Sequence, residues 1–297
     1  MIGTAGEGGT YFYVGQGMAS VIEEYTDLAA TSQGTAGGTE NARRISSGDM
    51  DIGLASPDDI DRTIEDGTVD PANLRVLMSG HPTVTHIAVR EDSEYRSLED
   101  LLTEGQSLGV GEPGSNIQYE ASNVLEVYGL TVDDVEGAPL SQSEQATALQ
   151  NGEIEGAFLG GGVPLAAASE VATNVGVRIL PIPDDVLGRY LERNPDEFSY
   201  VIPGGTYEGT PDDVQTTAYA TIVLVRADLP DDEAYELTKT IHEHPDDVAE
   251  VHPAGGEYTL DNAFIKADYY TGELGLQFHP GAVNWYEEQG VWSEEYE

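Results

Sequence analysis

The sequence has no cysteine and only two lysines, Lys239 and Lys266. The absence of cysteine excludes disulfides, thiolate metal sites and cysteine catalysis. Basic residues number 12 against 55 acidic ones, and the formal net charge is −43. Because so acidic a chain repels polyanions, its composition argues against nucleic acid and anionic lipid surfaces as partners.

Long hydrophobic runs are also missing. No stretch approaches the ~20 apolar residues of a membrane span. The opening Met1-Ile2-Gly3 has neither the charged region nor the apolar region of a signal peptide. This leaves two expectations open: a cytoplasmic protein, or a sequence that begins after a removed leader.

The acidic residues are spread from Glu7 to Glu297, with pairs such as Asp58-Asp59 and Asp184-Asp185 expected on exposed faces. An acidic tail would gather them at one end instead. Self-repulsion of this size is relieved when salt shortens the Debye length, to roughly 3 Å at 1 M. The charge therefore predicts adaptation to high salt, that is, a halophilic protein.

The apolar pattern predicts an α/β fold, and 297 residues with 39% hydrophobic content suit two linked lobes better than one compact domain. Strands are predicted to end near residues 2–4 and to occupy 28–32, 51–55, 74–79, 107–111, 157–159 and 177–180, and a second series of elements is expected to start after 83–90. Helices are predicted at 14–25, 39–47 and 58–65, after capping-box patterns at Ser97 and Ser141, from Ser115 and from Pro164.

Two similar segments, 85–92 and 220–228, each lead to a helix with an acidic start. We interpret them as the places where the chain crosses between lobes, near residues 87 and 220. The prediction is a two-lobed fold with two wound sheets joined by a hinge. Lobe one would comprise residues 1–86 and 221–297, and lobe two residues 87–220. Ligands are expected beyond the carboxyl ends of the strands, in the crevice between the lobes.

Six motifs occur in a fixed order along nearly the whole chain: IGTAGEGGTYF (2–12), TAGGTENAR (35–43), GEPGSN (111–116), GGVP (161–164), GTY (205–207) and HPGA (279–282). Together they resemble the TAXI family of TRAP-transporter solute receptors. Three positions depart from the family pattern. Only Asp58 matches the segment that follows the third strand, Asn116 replaces a glycine, and Glu112 replaces a small residue.

The resemblance implies a periplasmic-binding-protein-like fold of type II and an extracytoplasmic receptor. Its ligand would be a small organic anion or amino acid, such as glutamate or a dicarboxylate, and its partners TRAP-type membrane permease subunits. It implies no cofactor and no catalysis. A small-molecule enzyme or a sensory ligand-binding module on the same fold remains the alternative, because fold alone does not determine function.

Three glycine-rich turns, at 8–10, 37–39 and 113–115, each precede a helix. Free N–H groups and a partial positive charge at such starts could hold a carboxylate, or the glycines could simply form tight turns. With the motifs, they predict a set of ligand-binding residues: Thr10, Tyr11, Tyr13, Gly38, Thr39, Asn41, Arg43, Asp58, His86, Ser115, Asn116, Ile117, Gly161, Gly162 and Tyr207.

Several of these residues have a second interpretation. We expect one of the two tyrosines, Tyr11 or Tyr13, to line the crevice and the other to pack. Arg43 could clamp a carboxylate or pair with Glu40. Asp58 could bind a ligand ammonium or hydroxyl, or cap the helix that follows it.

Metal and enzyme signatures are weak. His242 and His244 lie two residues apart, and alternate residues of a helix do not share a face. The segment that starts at Asp49 fails as a calcium loop because its twelfth residue is Ile60. The sequence also contains neither a G-x-S-x-G elbow nor a phosphate-binding loop.

Overall fold

The computed structural model describes residues 1–7 and 9–296. At Glu294 it describes the backbone but not the side chain. Gly8, the first residue of one predicted glycine turn, lies outside the described residues. The strands are β1 Ile2–Gly3, β2 Ser32–Gln33, β3 Ile52–Ala55, β4 Leu74–Arg90, β5 Ser107–Gly109, β6 Glu136–Ala138, β7 Gly156–Gly161, β8 Val177–Leu180, β9 Glu197–Ile202 and β10 Val214–Arg226. The helices are α1 Thr10–Tyr25, α2 Gly38–Ser46, α3 Pro57–Glu65, α4 Leu98–Glu104, α5 Asn116–Val127, α6 Gln142–Asn151, α7 Ala166–Val175, α8 Asp184–Arg193, α9 Asp231–Glu243, α10 Pro245–Ala249, α11 Ala267–Gly272 and α12 Pro280–Gln289.

The chain divides into two compact units. The first contains Met1–Pro82 and Tyr219–Glu297, and the second contains Thr83–Ala218. The boundaries fall inside the two long strands β4 and β10, so each of these strands contributes residues to both units.

In the first unit, β1 pairs in parallel with β2 on one side and with β3 on the other. The return strand β10 pairs antiparallel with β3. Residues 222–225 of β10 are all buried, as expected for a strand covered on both faces. Helices α1, α2 and α3 directly follow β1, β2 and β3, so their first turns lie beyond the carboxyl ends of the strands.

The second unit has the same strand order. Strand β5 pairs in parallel with β6 and with β7, and β4 pairs antiparallel with β7 and with β8. Alternate residues of β4 belong to different cores: Ala88 packs in one cluster, while Ile87 and Val89 pack in another. Successive side chains of a strand point to opposite faces, so this sheet is covered on both faces. The predicted α/β fold is confirmed.

Two strand predictions are wrong in detail. Residues 28–31 form a loop, and only Ser32–Gln33 pairs with β1, because Thr26 closes a turn at the end of α1 by accepting the Leu28 N–H at 3.0 Å. The strand predicted at 74–79 extends to Arg90 and includes the segment 83–90, continuing through Pro82 although this residue has no N–H to donate.

Local helix signals are better predicted. Capping boxes form at Ser97 with Asp100 and at Ser141 with Glu144, as their spacing indicates. A further box forms at Ser56 with Asp59. Asp59 is therefore buried, and the expectation that the Asp58-Asp59 pair lies on an exposed face is wrong for this residue.

Candidate ligand-binding site

Asp59 connects two of the helix starts in the first unit. Its carboxylate accepts hydrogen bonds from the Thr39 hydroxyl at 2.9 Å and from the Ser56 hydroxyl and N–H at 2.8 and 3.1 Å. Arg62 donates to it at 3.0 Å. Gly38 is needed for this contact, since a Cβ there would lie 2.1 Å from the Asp59 Oδ2 and 2.8 Å from the Ala55 Cα. The Thr39 hydroxyl thus already serves to hold α2 against α3.

Asp58 does not cap α3. The cap is Ser56, and Asp58 instead forms an ion pair with Arg62 at 2.9 Å, one turn further along the helix. The interpretation of Asp58 as the helix cap is therefore wrong. Its predicted contact with a ligand stays a prediction.

Asn41 is completely buried, and its amide joins three segments of the first unit. Its Nδ2 donates to the Thr4 and Leu54 carbonyls at 2.8 Å each, and its Oδ1 accepts from the Thr35 hydroxyl at 2.8 Å. These bonds tie the ends of β1 and β3 to the loop before α2. The geometry gives Asn41 a structural task that its motif alone did not indicate.

Arg43 is half exposed and pairs with Asp66 at 2.7 Å, and it also donates to the Thr68 hydroxyl at 2.9 Å. The expected pair with Glu40 is wrong, because Glu40 contacts the neighbouring Arg44 at 3.5 Å. A bound carboxylate would have to compete with Asp66 for the Arg43 guanidinium.

The first turn of α1 contains Thr10, Tyr11 and Tyr13. Tyr11 is half buried and meets the His81 ring edge-on with centroids 5.7 Å apart, and its hydroxyl accepts from Thr221 at 3.4 Å. Tyr13 is exposed and stacks on His252 at 6.1 Å. The two tyrosines thus differ in their surroundings, with Tyr11 the one joined to buried polar groups, and which of them lines the crevice stays a prediction. His81 and Thr221 carry no motif, and sequence reasoning missed them.

In the second unit, Ser115 is the cap of α5 and Asn116 is its first residue. The Ser115 hydroxyl accepts the Gln118 N–H at 3.2 Å, and the Ser115 N–H donates to the Glu112 carbonyl at 3.0 Å. The sequence placed the helix start one residue too early. The amides of Asn116 and Ile117 belong to the first turn of α5, where N–H groups have no acceptor within the helix itself.

His86 and Tyr207 form one buried pair in the second unit. Nδ1–H of His86 donates to the Val84 carbonyl at 2.9 Å, so Nε2 accepts from the Tyr207 hydroxyl at 2.7 Å. Burial lowers the pKa of His86 to about 4, which keeps the ring neutral. The Tyr207 oxygen also accepts the Leu165 N–H at 2.9 Å. Both residues thus hold the segment between β7 and α7. This segment follows Gly161 and contains Gly162 of the GGVP motif.

Replacing Tyr207 with phenylalanine tests this pair. We expect Tyr207→Phe to lower the free energy of unfolding by about 2 kcal/mol, because the Leu165 N–H and the His86 Nε2 would both be buried without a partner. Chemical denaturation in molar salt measures the change. Tyr200→Phe, in which the ring is only partly buried, provides the comparison, and equal effects of the two substitutions would contradict the role given to Tyr207.

A buried carboxylate bonds Thr85, the residue before His86 on β4. Glu120 of α5 is 2% exposed and accepts the Thr85 hydroxyl at 2.5 Å. Thr85 precedes His86 on β4, and its carbonyl accepts the Thr216 hydroxyl at 2.7 Å. Buried acids in a chain so rich in exposed ones cannot be picked out by composition, and sequence reasoning missed Glu120.

Acidic residues are distributed unevenly among the helix starts. Most helices have at least one acid in the first turn, where it complements the helix dipole. In the described part of the chain the exceptions are α1, α5, α7 and α12. Helix α12 is capped instead by the ring of His279, which accepts the Gly281 N–H at 3.1 Å. The other three, here called the acid-free starts, follow the parallel strands β1, β5 and β7.

The two histidines of the HEH segment have separate partners. His242 is buried and stacks on Trp285 at 5.2 Å, whereas His244 stacks on Tyr25 at 3.6 Å. Among residues 1–7 and 9–296, no group of three or more His, Asp or Glu side chains is arranged to hold a metal ion. Within the same residues, no helix has the length and apolar character needed to cross a bilayer.

Strand order and helix placement define the fold as that of the bilobed periplasmic-binding proteins. Similar solved structures include the TctC solute-binding protein from Polaromonas, with a TM-score of 0.55, 16% identity and 85% of each chain covered. The aliphatic sulphonate binding protein SsuA from Escherichia coli has a TM-score of 0.54 and 14% identity, with 97% of this chain and 81% of that chain covered. R. palustris Rpa4515, solved with adipate, has a TM-score of 0.55 and 15% identity, with 82% of each chain covered.

The family follows from the sequence itself. The model of the NMT1-like family matches residues 2–290, and the chain belongs to this family.

Proposed function

We propose that the protein is an extracytoplasmic solute-binding receptor whose ligand is a small carboxylate, such as an amino acid or a dicarboxylate. The observation that carries the proposal is the set of acid-free starts. In a chain with 55 acidic residues, most helices place a carboxylate of their own at the positive end of the dipole. Helices α1, α5 and α7 do not, and they start beyond the carboxyl ends of parallel strands, where α/β proteins bind ligands.

The available donors match an anionic ligand. Backbone N–H groups at a helix start bind carboxylates without any basic side chain. The binding set that we propose keeps the residues named from the sequence, with the α5 donors assigned to the Asn116 and Ile117 amides instead of the Ser115 hydroxyl, which caps the helix. The ligands named for two similar structures, adipate and aliphatic sulphonates, are also organic anions.

The proposed transport partner is a TRAP-type membrane permease. Its support is the ordered set of motifs that resembles the TAXI receptors. The names of the similar structures agree with a transport role, since they are solute-binding components. A receptor needs no reacting groups, and we propose that the protein is not an enzyme.

Calorimetry in molar potassium chloride tests the ligand class. The panel consists of L-glutamate, succinate and adipate, with glucose as the neutral sugar and spermidine as the cation. We expect at least one carboxylate to bind and neither comparison compound to do so. Tight binding of glucose, with no response to any carboxylate, would refute the proposal.

Substitutions at Asn116 separate the backbone donor from the side chain. Asn116→Pro removes the first amide of α5 at a position where proline fits the helix, and Ser115, with ψ at 156°, already has the extended backbone that a following proline requires. We expect the affinity for the carboxylate to fall by roughly tenfold, as for loss of one hydrogen bond to a charged group.

Asn116→Ala is the matched control, because it keeps the amide and removes only the side chain. A smaller loss than in Asn116→Pro is expected by calorimetry. If the proline variant folds and binds as tightly as the alanine variant, the α5 amide does not hold the ligand.

A further inference from the structure

Four side chains of the first unit form a continuous polar chain. The Tyr258 hydroxyl lies 2.9 Å from Nδ1 of His81, and Nε2 of the same ring lies 3.3 Å from the Thr221 hydroxyl. Thr221 in turn donates to the Tyr11 hydroxyl at 3.4 Å. His81 lies on β4, Thr221 on β10 and Tyr11 in the first turn of α1, one of the acid-free starts.

The inner end of this polar chain is shielded from solvent. Tyr258, His81 and Thr221 are all fully buried. The Tyr258 ring lies directly against Gly80, where a Cβ would be 2.1 Å from its Cε1. Burial lowers the pKa of His81 to about 3, so the ring is neutral and has one donor and one acceptor nitrogen. The direction of the chain therefore depends on which nitrogen carries the hydrogen.

Tyr258 decides that direction. A buried hydroxyl without an acceptor costs free energy, and the nearby acceptor for the Tyr258 O–H is Nδ1 of His81. If Nδ1 accepts, Nε2 carries the hydrogen and donates to the Thr221 oxygen. The Thr221 hydroxyl then donates its hydrogen to the Tyr11 oxygen. The geometry of this contact also makes Thr221 the donor. All three hydrogen bonds point from Tyr258 toward Tyr11.

This one-way chain makes Tyr11 a donor with a fixed orientation. Its oxygen receives the Thr221 hydrogen, so its own hydrogen must be directed to a different acceptor. We propose that, in the ligand-bound protein, this acceptor is an anionic oxygen of the ligand, and that His81 and Thr221 are positioning residues for ligand recognition. The inference rests on the proposed function and assigns the specificity of the α1 start to a hydroxyl donor. Donors in series polarise one another, which strengthens the last hydrogen bond.

Nitrogen NMR tests the direction without any ligand. Spectra of ¹⁵N-labelled protein distinguish the two neutral tautomers of histidine, and a comparison with His81→Gln assigns the signal among the six histidines. We expect His81 in the Nε2–H form, with Nδ1 accepting from Tyr258. An Nδ1–H tautomer in the wild-type protein would reverse the chain and overturn the inference.

Calorimetry with L-glutamate, succinate and adipate tests the consequence for binding. We expect Tyr11→Phe and Thr221→Val each to lower the affinity for the bound carboxylate by roughly tenfold, which is the effect of losing a hydrogen bond to a charged group. Thr221→Ser keeps the hydroxyl and should restore most of the affinity, which a merely structural role of the threonine would not require. Tyr25→Phe removes an exposed hydroxyl from the other end of the same helix and should leave affinity within about twofold.

The outcomes separate this inference from the proposed function. If the wild-type protein binds none of the three carboxylates, the proposed function fails and the ligand role of Tyr11 fails with it, while NMR still decides the direction of the chain. If a carboxylate binds and both Thr221→Val and Tyr11→Phe retain wild-type affinity with unchanged melting curves, only the inference is overturned.

Discussion

The melting temperature of the protein is expected to rise by about 10 °C or more between 0.1 M and 1 M potassium chloride. For a chain of this size, about 1 kcal/mol moves Tm by roughly 2–4 °C, so the expected gain corresponds to about 3–5 kcal/mol. The cause is the net charge of −43. The Debye length falls from ≈10 Å to ≈3 Å over this range, which removes most of the repulsion between exposed carboxylates.

Screening must be distinguished from general stabilisation by excluded solutes. Sucrose at matched osmolality strengthens burial without screening charge, so it should raise Tm by much less. Differential scanning calorimetry in both series makes the comparison. A Tm that stays constant from 0.1 M to 1 M salt, or that sucrose raises equally, would show that self-repulsion does not limit the stability of this fold.

Asp59→Ala is expected to lower the free energy of unfolding by about 3 kcal/mol, because a buried carboxylate that accepts several hydrogen bonds is removed. Asp59 is 3% exposed and receives four hydrogen bonds, from Ser56, Thr39 and Arg62. The substitution removes the shared acceptor of these bonds at the place where α2 and α3 begin, and Arg62 keeps its contact with Asp58. Denaturant unfolding in 1 M potassium chloride measures the loss while screening the background repulsion.

Asp61→Ala is the matched control, two residues further along the same helix. Its partial burial and the nearby Glu65 raise the pKa of Asp61, so its ionised form is disfavoured in the folded protein. Removing that carboxylate should change stability by less than about 0.5 kcal/mol, or increase it slightly. Equal losses in the two variants would mean that Asp59 contributes nothing beyond a surface charge.

To test ligand binding, the substituted residues must be ones that do not also hold the fold together. Thr39 and Asn41 both belong to the TAGGTENAR motif, but their polar atoms bond Asp59 and the strand ends. Substituting either residue would alter affinity through the fold. Asn116, Tyr11 and Thr221 are better test positions because each proposed variant removes one polar group, a backbone amide or a hydroxyl, that does not bond Asp59 or the strand ends.

Sequence alone determined the parts of this protein that depend on local signals. Serines 97 and 141 start their helices because each is followed three residues later by an acid that completes a capping box. The ordered motifs and the alternation of short strands with helices were enough to predict the α/β class. Both signals operate within a few residues, so they can be read without knowing which segments meet.

Tertiary structure decided which polar residues are buried and hydrogen-bonded to each other. Ser56, three residues earlier, marks Asp59 as the acid of a capping box, but the bond to Asp59 from Thr39, twenty residues earlier, has no such local signal. His81 is separated from Thr221 by 140 residues and from Tyr258 by 177, and it becomes their neighbour only when β10 returns to the first unit. Hydrogen bonding over such separations depends on strand pairing and burial, which have no local sequence signature.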